Sequence, residues 1–265
     1  MLALRTIFSL PNSTLARRIQ WQIGAIIALV IVAVTWLSYH YTVDALRQEA
    51  VGNLRASVQA KVIFESADFG VAQQNTEILR DEYVRRLQAL GTQDPRATFD
   101  AWFAKESDGV IRVRPQREDP KHLPSVYLRN GVPVGPELRR QVVVAFELLR
   151  EWGPVLTQRY FSVYIDLPGK SLVVFSPTVN WGREAGPDLD TLQFAAAQNA
   201  MPINNPARRS QWTDVYFDDK SLAWVTSIIT PVDASEWLGL TSQDIAIDAT
   251  IERINEQAEI GRAHV

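Results

Sequence analysis

Ile23-Gly-Ala-Ile-Ile-Ala-Leu-Val-Ile-Val-Ala-Val-Thr-Trp-Leu-Ser-Tyr-His-Tyr41 decides how the rest of this chain is read. The run holds no Asp, Glu, Lys or Arg. As a helix rising ~1.5 Å per residue it nearly crosses a hydrocarbon core of ~30 Å. Trp21 stands at one end, and Trp36, Tyr39 and Tyr41 crowd the other. Amphipathic rings favour the two headgroup layers, so both ends read as interfaces. Arg5, Arg17 and Arg18 precede the run and no acidic residue does. That bias places the N-terminus in the cytoplasm and everything after Tyr41 outside. A cleaved signal peptide is the alternative. The long leader, and the lack of a small-x-small site after the run, argue against it.

The expected organisation is a cytoplasmic tail over residues 1–20, a transmembrane helix over 21–41 and an extracytoplasmic domain over 42–258. That domain is long enough for one large core. The chain has no cysteine, which suits a bacterial periplasmic domain better than a small disulfide-stapled one. Net charge is −3, so nothing points to a nucleic-acid partner. Residues 259–265 read differently. Ile260-Gly-Arg-Ala-His-Val265 is what a common sequencing adapter encodes in one frame, with a stop codon next. The expectation is a reading frame that ran into adapter near residue 258; a genomic stop after Val265 would sink it.

Val43, Leu46, Ala50, Leu54 and Val58 recur every three or four residues, predicting a stalk helix from Thr42 to about Phe69. The same stripe predicts a homodimer in the intact protein. Gly70 is expected to interrupt this helix. A second helix runs from about Gln74 to Leu90 and stops at Gly91. Val110–Arg114 and Ser125–Leu128 read as short strands, with Asn130-Gly131 a turn. Pro136 opens a helix that Gly153-Pro154 should end. Tyr160–Ile165 and Leu172–Phe175 form a hairpin around Pro168-Gly169, a pair suited to a type II turn. A short helix should end near Asn199. Thr213–Phe217, Leu222–Ile229 and Trp237–Ile247 read as a three-strand meander, and Asp248 caps a final helix through Thr250, Ile251 and Ile254. The fold class is α+β: a membrane helix, a long stalk helix and an antiparallel sheet with flanking helices.

Enzymatic constellations are scarce. The histidines are His40, His122 and His264, and there is no cysteine. Zinc sites and Ser-His-Asp or Cys-His catalysis have little to work with. No glycine-rich phosphate loop follows a strand. No catalytic residue, metal ligand or cofactor is assigned. The cluster that stands out is Trp212, Tyr216, Asp218 and Asp244. By alternation, Asp244 shares a face with Leu238 and Leu240, and Tyr216 with Asp218. A carboxylate on a core face needs a cation or several donors. Two carboxylates and two aromatic rings suit an ammonium-bearing ligand. The other reading is that Arg208 or Arg209 meets Asp244 and that Asp218 only starts a turn.

From about Arg159 to Asn255 the chain resembles the ligand-binding module of double Cache sensor domains, the PAS-like extracytoplasmic sensors of bacterial receptors. The residues that carry this are Asn205-Pro-Ala-Arg-Arg-Ser-Gln-Trp-Thr-Asp-Val-Tyr-Phe-Asp218, Trp224-Val-Thr-Ser, Thr230-Pro-Val and Gln243-Asp-Ile-Ala-Ile-Asp248. Tyr164-Ile-Asp-Leu-Pro-Gly and Phe175-Ser-Pro fit as well. The resemblance implies that Tyr216, Asp218 and Asp244 hold a ligand amino group. Where the amino-acid-binding branch carries Arg-x-Trp-Tyr, this chain has Leu192-Gln-Phe-Ala-Ala-Ala-Gln, which puts an α-amino acid in doubt. It also implies a membrane-proximal module and a cytoplasmic output domain, a diguanylate cyclase or histidine kinase, whose motifs this sequence lacks. The expected function is sensory input at the bacterial inner membrane. A complete membrane-anchored scaffold whose sheet contacts another protein is the alternative.

Overall fold

The computed structural model describes residues 14–234 and 236–248. The expected helix beyond Asp248 and the adapter-like tail over 259–265 lie outside them. The chain divides into two compact units, residues 1–64 and 65–265. Helix α1 (Thr14–Leu90) starts in the first and ends in the second. In the first unit the apolar run is helical throughout. Among the described residues one stretch, Arg17–Asn53, is long and apolar enough to cross a membrane. Its Ile27, Leu29, Val32 and Leu37 face outward from the protein, as lipid-facing side chains do.

The expected break at Gly70 is absent; α1 runs through it. A helical glycine costs only about 1 kcal/mol relative to alanine. Against that, Ala72, Thr76, Leu79 and Tyr83 bury one continuous face. The stop at Gly91 is as expected: its φ is +59°, and its N–H reaches the Leu87 carbonyl at 3.1 Å.

In the second unit, α2 (Arg96–Trp102) leads into β1 (Phe103–Lys105), β2 (Ile111–Val113) and β3 (Ser125–Leu128). Then come α3 (Pro136–Leu156), β4 (Ser162–Leu167), β5 (Ser171–Phe175), α4 (Trp181–Glu184) and α5 (Ala195–Ala200). The chain closes with β6 (Gln211–Trp212), β7 (Tyr216–Asp218), β8 (Ala223–Asp233) and β9 (Trp237–Ala246). The strands form one sheet ordered β1-β2-β3-β5-β4-β9-β8-β6, with β7 also on β8. Every pairing is antiparallel. From β4 onward the last strand lies between the hairpin's first strand and β8, a PAS-like arrangement within an α+β fold.

Three local expectations are corrected. Helix α3 continues through Gly153-Pro154 to Leu156. Gly153 is there because Phe175 occupies the space a Cβ would take. Pro154 forfeits one hydrogen bond in the last turn, and Thr157 satisfies the Gly153 carbonyl through its N–H at 2.9 Å and its hydroxyl at 2.8 Å. The β4–β5 turn is not type II. Leu167 pairs with Ser171 across three residues, and Lys170, not Gly169, has positive φ, +54°. That is the three-residue hairpin loop with a left-handed last residue. Finally, the expected single strand 213–217 does not form: β6 ends at Trp212 and β7 begins only at Tyr216.

Both faces of the sheet are covered. On one, α1 and α3 pack Leu79, Tyr83, Val142, Phe146 and Leu149 against Val163, Ile165, Val173 and Phe175. On the other, α4, α5 and their loops cover Tyr127, Leu172 and Val174, and then Ile229 and Leu240. Where α1 crosses β8 and β9 the contact is apolar at Phe69, Ala72, Ile228 and Ile245 and polar around Thr76. The Thr76 and Thr230 hydroxyls stand 2.8 Å apart, and the Thr241 hydroxyl donates to the Thr76 carbonyl at 2.8 Å. Asn75 donates to Gln243 at 3.2 Å, and Ser210 to Glu77 at 2.8 Å.

Candidate functional site

On β9, Thr241, Gln243 and Ile245 face α1, which leaves Leu240, Ser242 and Asp244 on the opposite face. Leu238 breaks the expected alternation: it belongs with Val163 and Ile165 on the α1/α3 side. The ladder shifts register between Val232 and Asp233, and Gly239 opposite takes φ +115°. This irregularity moves one residue across the sheet, so Asp244 shares a face with Leu240 but not Leu238.

Asp244 is 8% exposed. Ser162 Oγ donates to one of its oxygens and Ser227 Oγ to the other, each at 2.6 Å. Ser227 spends its proton on Asp244, so the Tyr216 hydroxyl, 2.9 Å away, donates to Ser227. Among the described residues no guanidinium takes part: Arg208 instead grips Asp233 through two bonds of 2.7 Å. The reading in which Arg208 neutralises Asp244 is thereby overturned. Burial drives the Asp244 carboxyl up to about 6, against the pull of the two serine hydroxyls. Burial, followed by the Asp244 charge, raises the Tyr216 and Tyr164 phenols.

Asp244, Tyr216 and Asp218 line one cavity of about 510 Å³ on the α5 side of the sheet. Asp218 has a dual position. Its oxygens accept from the Lys220 N–H at 3.1 Å and Ser221 Oγ at 2.6 Å, so it caps the β7–β8 turn while facing the cavity. Trp212 is not brought there. It packs on Phe69, ring centroids 4.8 Å apart, on the α1 side. Trp212 pairs with Ile228 and Tyr216 with Val225, so four steps on one strand meet three on the other. The extra residue around Thr213–Val215 reverses the facing between them.

Sequence reasoning missed the cavity's other walls. Trp181 and Phe194 meet edge to face at 5.8 Å and both line it. Asp166, just past the expected end of its strand at Ile165, is 2% exposed and lines the cavity too. It accepts from the Thr191 hydroxyl at 2.9 Å. Burial drives its carboxyl up to about 7. The signal available was the spacing Ser162, Tyr164, Asp166 on one strand face, which becomes informative only with the register to β9. Among the described residues no three His, Cys, Asp or Glu side chains group to hold a metal.

No family model and no curated protein matches this chain. Solved structures do. One is the ligand-binding domain of the Pseudomonas aeruginosa amino-acid chemoreceptor PctB in complex with L-Gln, at 16% identity and TM-score 0.32, covering 37% of this chain and 38% of that one. Another is the ligand-binding domain of the Pseudomonas fluorescens chemoreceptor CtaA in complex with L-serine, at 16% identity and TM-score 0.31, covering 37% and 40%. A third is the sensory domain of the Campylobacter jejuni chemoreceptor Tlp3, at 11% identity and TM-score 0.31, covering 72% and 65%. The chain thus spans less than two thirds of each of these three domains.

Proposed function

We propose that this chain is a membrane-anchored sensory input protein whose sheet unit binds a small amine-bearing molecule. The observation that carries this is Asp244: a buried carboxylate facing a cavity, held by two hydroxyls and, among the described residues, paired with no basic side chain. In the free protein its charge is poorly compensated. An ammonium group would relieve that and gain charge-assisted hydrogen bonds of roughly 1.5–3 kcal/mol each. Trp181 and Phe194 add faces for cation–π contact. No catalytic role is assigned to any of these groups.

Asp244→Asn tests this. Asparagine keeps the shape and an acceptor for the serines, and no buried guanidinium is stranded by the change. Calorimetric titration of the full chain in detergent with simple primary amines should show affinity down about tenfold or more. Melting temperature should hold within a few degrees. Unchanged affinity, or no binding of any amine to the wild type, rejects the role.

In this reading residues 1–20 lie in the cytoplasm, 21–41 span the inner membrane and 42–258 are periplasmic. Two copies pair through residues 43–58. The resemblance to double Cache sensors extends the reading to a cytoplasmic output domain, a diguanylate cyclase or histidine kinase. A reporter fused at Gly131 should behave as periplasmic. Single cysteines along residues 43–58 should crosslink with helical periodicity. A cytoplasmic signal reverses the orientation, and aperiodic crosslinking removes the dimer.

A further inference from the structure

The cavity holds a second buried carboxylate, and the sheet register fixes its distance from the first. Asp244 pairs with Ser162 on β4. Asp166 lies four residues farther along β4 and on the same face, opposite Leu240. At ~3.3 Å per strand residue the two positions stand about 13 Å apart along the strands. Both are more than nine-tenths buried and both line the same cavity. Neither has a cationic partner. At the Asp166 end, Lys170 and Arg129 are both turned to Asp190, at 2.7 and 3.5 Å, and Asp166 accepts from the Thr191 hydroxyl and the Leu167 N–H. Among the described residues the one basic side chain lining the cavity is Lys220, which sits exposed in the β7–β8 turn.

The wall between the carboxylates is mostly apolar. Tyr164 lies midway on β4, and Leu172, Val174, Ala195 and Ala196 flank it. A buried carboxylate at each end and an apolar middle match a molecule with a cation at each end and methylenes between. Beyond the amine site, and resting on that reading, the geometry points to a linear α,ω-diamine as the ligand, one ammonium on Asp244 and the other on Asp166. Subtracting two charge-assisted bonds of about 2.8 Å from about 13 Å leaves roughly 7–8 Å between the nitrogens. That is the reach of an extended chain of about five methylenes. An amino acid seated by its ammonium on Asp244 fits worse. Its carboxylate finds no guanidinium, and if directed along the cavity it approaches Asp166, a like-charge contact that discriminates against it.

The test is calorimetric titration of the full chain in detergent with pentylamine and with tri-, penta- and decamethylenediamine. Pentamethylenediamine is expected to bind about tenfold or more tightly than pentylamine, and more tightly than the shorter and longer diamines. Asp166→Asn should erase its advantage over pentylamine. The length series on the wild type needs no variant, so a misfolded Asp166→Asn would not shield the proposal. If pentylamine binds as tightly, or if Asp166→Asn keeps the preference, the second ammonium site is overturned while the amine reading stands. If no amine binds, both fall.

Discussion

Gly239→Ala is expected to unfold the sheet unit or to destabilise it by roughly 4 kcal/mol or more, the range reserved for strained or overlapping backbone. Gly239 has φ +115°, a conformation open in practice only to glycine. A Cβ there would also be driven into the Asp166 carbonyl oxygen, with Leu167 Cα 3.2 Å away. Both obstacles are main chain, so no side chain can swing aside. The affected ladder is β4–β9, the pairing that sets Asp166 and Asp244 in one cavity. Gly70→Ala is the matched control. Gly70 is helical with nothing within 4 Å of a new Cβ, so alanine should stabilise by about 0.5–1 kcal/mol. Urea melts followed by near-ultraviolet dichroism check both. A Gly239→Ala protein melting like the wild type would mean β9 does not approach β4 as described.

The second large effect is a loss of stability toward neutral pH in the ligand-free protein. Asp244 and Asp166 hold their protons more tightly folded than unfolded, with values near 6 and near 7. Their protonated forms contribute fully below about pH 4, the unfolded carboxyl range. That contribution drains away as pH rises through 6 and 7, because the folded state binds the extra protons. From pH 5 to 8 the two together amount to roughly 4 kcal/mol, or about 10 °C in melting temperature for a domain of this size. The facing groups reinforce the direction: Asp218 raises Asp244 and Asp190 raises Asp166. The acid side is bounded by groups of opposite sign. Arg85 and Arg86 hold Glu82 down to about 2, and Arg139 depresses Asp94, so their support is present above about pH 4 and lost below it. The double variant Asp166→Asn/Asp244→Asn should melt at nearly constant temperature from pH 5 to 8 and above the wild type at pH 8. An equally steep fall in the variant would show that these carboxyls are not the cause.

Much of this fold is local, and local rules found it. Strand β3 occupies the expected Ser125–Leu128, because the apolar or β-favouring Val126, Tyr127 and Leu128 run up to the Asn130-Gly131 turn. Pro136 opens α3, since its missing N–H costs nothing at a helix start. What escaped was decided by partners distant in sequence. Gly70 and Gly153-Pro154 look like stops, yet a buried helical face on either side carries the backbone through. The extra residue between Trp212 and Tyr216 cannot be seen until β8 supplies the count, so Trp212 was placed with Tyr216 when the two face opposite ways. The shift near Gly239 likewise moved Leu238 away from Asp244. Asp166 was hidden for another reason: beside Pro168-Gly169 an aspartate looks like turn chemistry, and only the pairing of β4 with β9 puts it at the end of a cavity.

Interlocked leucines hold a helix to a sheet like teeth in a rack, and shifting one past another opens voids that cost roughly 24 cal/mol per Å³. Beyond the apolar patch of Phe69, Ala72, Ile228 and Ile245, the contact of α1 with β8 and β9 is of another kind. Thr76, Thr230, Thr241 and Ser210 meet through hydroxyls, each able both to give and to take a hydrogen bond by rotating about one torsion. Such groups can trade partners without leaving a buried atom unsatisfied. Strand β9 turns Gln243 and Thr241 toward that contact and Ser242 and Asp244 toward the cavity, on alternate residues. Around Thr76, α1 therefore rests on the sheet as a shaft rests in a bearing, and β9, part of that bearing surface, is the strand that carries the buried charge of Asp244.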